Sequence, residues 1–366
     1  MNKQTSHILF AAILSAFMLH ATALRSSTAA QKSAGAPAAA LEAVGALPVS
    51  DGVLLLNTQP LLQTALPRVL LPEDIDEINS LSDFYRAHIG VDPRQLKSVA
   101  IGFRSQKGII SRALPDYYAT LKGAFDRQQI TIALRAAAPH SLREEEYNGR
   151  HIYVFDLDEI FGVPGAGRGL PWLISGFSLA VLDDSTLALG NLINVRRTID
   201  ASDGQGRINA QLVRLATLTP DALISVAALG NKVRDPALTP INQQTADEVT
   251  RALEAIDQFS AALTMRREVF ELLLFVRTSN ARQTQTLKDV LLPLIQQLGG
   301  AIRDERLRAI LNALEVSTED NVLHARTEIP QALVATLIKE SQAPPPSPHI
   351  APQVKRRPKT KVRRRR

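Results

Sequence analysis

The chain has 366 residues, 45% hydrophobic and 21% charged, enough for one large domain or two of about 150 residues whose core needs no covalent staple. It has no cysteine, which excludes disulfides, thiolate zinc sites, iron–sulfur clusters, cysteine nucleophiles and a lipidated N-terminal cysteine. The net charge of +6 is unevenly placed: Lys355–Arg366 carries nine Lys or Arg and no acid, so the rest sums to 6 − 9 = −3, and the body without its leader region is more acidic still.

Residues 1–23 have the three parts of a signal peptide. Lys3 supplies the positive end, Ile8–Leu19 an apolar run, and Ala21-Thr22-Ala23 the small residues of a cleavage site. The run is too short to span ~30 Å of hydrocarbon as a helix, and His20 closes it. Cleavage is expected near Ala23, with Ser27-Thr28-Ala29 as a second possible site. Residues 24–45 are rich in Ala and Ser, lack a long amphipathic period, and read as a linker.

In the body, Asp51-Gly52 reads as a turn before the strand Val53–Leu56, and a helical stretch starts near Pro60. Ile75, Ile78, Leu81, Phe84, Tyr85 and Ile89 recur three or four apart, as one face of a helix over 73–89. Strands follow at 97–104 and 117–125, then a helix over 127–138 capped by Asp126. Asn148-Gly149 between 142–147 and 150–157 marks a hairpin with a type I′ turn. A second hairpin spans 177–182 and 186–190, and a helix covers 191–201.

The later part repeats the style. A strand at 222–229 precedes a helix over 245–255, which opens on the capping pattern Thr245-Ala246-Asp247-Glu248. Strands 259–265 and 269–277 form a hairpin, and a long helix over 279–298 should kink or split at Pro293. Strands 314–318 and 322–328 form the last hairpin, before a helix over 331–340. The order strand, strand, helix, strand, turn, strand thus occurs at 97–157 and again at 257–328. Hairpins rather than βαβ crossovers define an α+β fold: antiparallel sheets with helices packed on one face, in two similar halves, 46–204 and 205–342.

Several phrases resemble a group of predicted secreted bacterial proteins with no assigned activity. These are the aspartate–glycine turn and strand 51–56, Val99-Ala100-Ile101-Gly102, Gly123-Ala124-Phe125-Asp126, the run Arg143–Arg150, Ile152-Tyr153-Val154-Phe155, and Leu187-Ala188-Leu189-Gly190 leading into Val195-Arg196. The resemblance spans roughly 46–340 and omits the basic tail. It implies export and carries over no site residue.

Motifs for chemistry fail on spacing. Gly162–Gly169 is glycine-rich, but it lacks the G-x-G-x-x-G spacing and has no Gly-Lys pair, so it reads as a surface loop. Trp172 beside it reads as part of a hinge or an apolar contact. Asp156–Glu159 and Glu144–Glu146 do not follow a calcium loop, and the glutamates are expected to face solvent beside Arg143 and Arg150. His88, His140, His151 and His324 have no i, i+4 partner, and no G-x-S-x-G or S-x-x-K pattern occurs in the body. No catalytic, metal or cofactor residue is therefore assigned.

The segment 343–366 is different. Ala343–Pro352 is a proline-rich spacer, and Lys355, Arg356, Arg357, Lys359, Lys361, Arg363, Arg364, Arg365 and Arg366 form a cationic tail with no apolar face. Such a tail attracts polyanions in a salt-sensitive way. Behind a signal peptide the expected partner is an anionic membrane or envelope surface, or an acidic protein. Nucleic acid is less favoured, and the 5% aromatic content gives it no stacking platform. The reading is an exported periplasmic or envelope protein, a binding or structural module rather than an enzyme. The alternatives are an exported hydrolase with a motif-poor site and a nucleic-acid-binding protein acting through the tail.

Overall fold

The computed structural model describes residues 38–104, 116–162, 177–230, 252–302 and 304–342. Strand β1, Gly52–Leu56, is an apolar run buried at all five positions. A strand is buried so only where both faces of its sheet are covered, and β1 sits in the middle of such a sheet. It pairs antiparallel with β2 (Ser98–Arg104) on one side and β8 (Ile224–Leu229) on the other.

Beyond β2 come β3 (Asp116–Lys122), β7 (Thr186–Asn191), β6 (Phe177–Asp183), β5 (Arg150–Phe155) and β4 (Arg143–Tyr147). Beyond β8 come β9 (Ile256–Arg266), β10 (Val269–Thr278), β12 (Val322–Pro330) and β11 (Glu315–Glu319). Among the described residues all twelve strands belong to one antiparallel sheet, and the α+β class is as the sequence indicates. The two runs with the same element order take corresponding places on either side of β1 and β8. Hairpins β2–β3 and β9–β10 lie toward the centre, β4–β5 and β11–β12 at the edges, and β6–β7 is inserted on the first side only. Residues 46–204 and 205–342 thus share a sheet rather than forming separate ones. The Asn148-Gly149 turn has φ 49° and 71°, the doubly left-handed geometry of type I′.

The expected coverage of one face is corrected. Leu54 and Leu56 define the front face, and Val53 and Leu55 the back. The front is covered by turns at 58–68, α2 (Pro72–Ile89), α3 (Arg127–Ala137), α4 (Leu157–Phe161), α7 (Ala281–Ala301) and α9 (Gln331–Gln342). The back carries α1 (Ala38–Gly45), α5 (Leu192–Ser202) and α6 (Ala210–Ala216) over Val53, Leu55, Ala100, Tyr118, Ile152 and Ala180.

Helix α1 lies in the segment read as a linker. It packs through Ala40, Ala43 and Val44, small residues that let it approach the sheet closely without the large apolar period a sequence scan detects. The Ser98 and Thr120 hydroxyls donate to the Ala39 and Ala43 carbonyls at 2.8 and 2.5 Å and fix it there. Pro293 does not split α7, which runs unbroken past it with the proline on the exposed side. Helix α8 (Glu305–Asn312) follows, capped by Asp304. Of the helix expected over 245–255, residues 252–254 are helical, and the capping pattern lies outside the described residues.

Two glycines are required by close approach. Gly90 ends α2 at φ 77°, where a Cβ would lie 2.6 Å from the Ile130 backbone of α3. At Gly102 a Cβ would meet the Tyr118 ring at 2.3 Å.

Candidate functional site

The nine tail cations, residues 1–37 and Trp172 lie outside the described residues, as does the glycine stretch apart from Gly162. Gly162 itself closes α4 in the left-handed region at φ 63°. What the structure describes is the root of the tail. Helix α9 packs Val334, Ala335 and Ile338 into the front core beside Phe270 and Ile329. Arg306 of α8 donates to the Glu340 carboxylate at 2.9 and 2.7 Å and to Asp304 at 2.6 Å. The Arg306 hydrogen bond holds Asp304 down to about 2 and keeps Glu340 below the usual carboxylate range. Glu340 is three residues from Ala343, where the proline-rich spacer begins. The chain therefore enters its tail from a fixed point on the body.

Glu144 and Glu146 are exposed, as expected, but the acidic clusters take partners from elsewhere in the fold. Successive glutamates on β4 point to opposite faces. Glu144 pairs with Arg135 of α3 on the front at 2.7 Å, and Glu145 with Arg196 of α5 on the back at 2.6 Å. Their partners are therefore helix arginines rather than Arg143 and Arg150. Arg196 also lies over the Tyr147 ring, whose hydroxyl donates to Asp200. In the second cluster, Asp156 caps α4 and Glu159 accepts from the Ser141 and His140 amides at 2.9 and 3.1 Å. Among the described residues, no group of three or more His, Asp or Glu is placed to hold a metal ion.

The histidines are spread over the fold. The His88 ring stacks on Phe84 and pairs with its carbonyl at 2.9 Å, and His151 is exposed opposite Glu146. His324 on β12 packs edge-on against Phe275, and burial lowers its pKa.

Two polar clusters escaped the sequence reading because their members are distant in the chain. Lys122 at the end of β3 is buried, with its Nζ 2.8 Å from Glu42, 2.7 Å from Thr186 Oγ1 and 3.1 Å from Ser185 Oγ. Here Glu42 touches the amine, and Asp183 accepts from Ser185 and Thr186. Burial alone would raise the Asp183 pKa, but these hydrogen bonds and the Lys122 charge hold it down. This is a clamp joining α1, β3 and the β6–β7 turn.

The second cluster surrounds Glu271, 3% exposed on the back of β10. Arg326 and Arg266 approach its carboxylate at 2.5 and 3.3 Å, and Thr264 donates at 3.3 Å. A buried carboxylate is tolerated only when paired in this way. The buried Tyr118 phenol donates to the Val49 carbonyl and meets Ser50 at 2.8 Å, and burial pushes its pKa up to about 12.

No family model matches the chain, and no curated protein matches it. Its fold is similar to solved structures of TP0453. Crystal form III is 10% identical and form IV 8%, each covering 81% of this chain, with 98% and 96% of the solved chains covered and TM-scores of 0.45 and 0.43. No described helix is long and apolar enough to cross a membrane.

Proposed function

We propose that this chain is an exported protein of the bacterial cell envelope, a non-enzymatic binding or structural module held at an anionic surface by its basic tail. The observation that carries this reading is the separation of charge: nine cations in the last twelve residues, attached to a body of net negative charge. In the body, Lys122, Glu144, Glu145, Glu271 and Arg306 serve to fasten helices and strands to one another. The leader at residues 1–23 supports export, and export makes an anionic lipid or envelope surface the polyanion that the tail meets. The family resemblance over roughly 46–340 points the same way.

Cell fractionation tests the reading. The full chain should lose its leader, sediment with envelope and be released by salt, while a chain ending at Gln342 should stay in the soluble exported fraction. An intact Met1 on the accumulated protein, or equal partitioning of the two chains, would refute it.

A further inference from the structure

The front core is divided near the root of the tail. One cluster gathers Leu287, Ile295 and Leu323 under α7, and another gathers Phe270 with Val334, Ala335 and Ile338 under α9. Helix α8 belongs to neither. It places Leu307, Ile310 and Leu311 on one side, as an amphipathic helix does, yet none of its residues is buried. Thr327 donates to the Ile310 carbonyl at 3.3 Å and sets α8 over β12. Arg306 spans from α8 to Glu340 on α9. Leu333 and Leu337 precede Glu340 by seven and three residues, so they share the flank of α9 that turns toward α8. They too are only half-buried, as is Leu272 on the same face of β10. A strip of incompletely covered apolar side chains thus runs between α8 and α9.

The chain passes from this strip into the tail. Twelve residues separate Gln342 from Lys355, a contour of at most about 40 Å, so strip and cations can reach the same surface. Stable membrane attachment ordinarily needs two such weak signals, apolar insertion and a polybasic segment. We propose that α8 and the facing flank of α9 form an apolar contact that enters the lipid interface of the anionic surface bound by the tail. This rests on the tail reading above and adds a second, salt-resistant contact to it.

The absence of cysteine makes the test direct. An environment-sensitive fluorophore is placed on Leu311→Cys in the mature full-length protein, with Ile132→Cys, 61% exposed on α3, as control. Vesicles of phosphatidylglycerol and phosphatidylcholine are then added. The label at 311 should shift to the blue and be quenched by brominated acyl chains, and the label at 132 should not change. The double variant Leu307→Ser, Leu311→Ser should lose on the order of tenfold in vesicle affinity at about 0.5 M salt and less at low salt. A water-like label at 311 on vesicle-bound protein would overturn the proposal and leave the tail tether standing. A blue shift that follows protein concentration without vesicles would also overturn it, in favour of contact between copies. Failure of the full chain to bind vesicles at all would remove both readings.

Discussion

Leu55→Ala offers a sharp test of the single sheet. Leu55 is 1% exposed in β1 and stands between Ala100 of β2 and Ser225 of β8. Over it lie Ala40, Ala43 and Leu212 from α1 and α6. Removing a buried leucine side chain costs about 2–5 kcal/mol, more where neighbours cannot move into the space. Here many of the neighbours are alanines or backbone held in the ladder, so a loss of about 3–4 kcal/mol is expected, against typical stabilities of about 5–15 kcal/mol. Because β1 joins the two runs of strands, the loss should be shared. Denaturant unfolding followed by two single-cysteine labels, one on β6 and one on β10, should show coincident transitions shifted by the same amount. If the β6 label moves and the β10 label does not, the halves unfold as separate domains and the reasoning fails.

Gly102→Ala should cost about 2–4 kcal/mol in a denaturant titration. The new methyl displaces the Tyr118 ring and strands the Val49 carbonyl that its hydroxyl satisfies; a loss under about 1 kcal/mol would refute this packing. Arg306→Gln should lower the denaturation midpoint at neutral pH. Asp304, down to about 2, and Glu340 are both held below their unfolded values, so the stabilisation is full above about pH 4.5 and is lost as pH falls through each folded value. The gap between wild type and variant should therefore close on acidification, and an equal gap at pH 7 and pH 2.5 would contradict the assignment.

The hairpins were legible because their signals are local. Asn148-Gly149 needs two left-handed residues in succession, and alternating apolar runs flank it. The helices that were missed lack such signals. Helix α1 is an alanine-based surface, α6 spans seven residues, and α8 (ERLRAILN) buries none of its side chains. Missing α1 and α6 hid the layer behind the central strands, and with it the coverage of both faces. The site residues divide in the same way. The tail is a matter of composition and can be read directly, whereas Lys122 meets Glu42 across eighty residues and Glu271 meets Arg326 across fifty-five, pairings that only the sheet creates. The α8–α9 strip depends on what fails to cover α8, which no local pattern records.

The salt dependence of vesicle binding tests the central claim most directly. The mature full-length chain and one ending at Gln342 are titrated with phosphatidylglycerol vesicles over a range of salt. The account predicts that the full chain binds tightly at low salt and loses affinity steeply as salt rises, while the shortened chain keeps only a weak, nearly salt-independent remainder. Equal affinities with equal salt slopes for the two chains would contradict it.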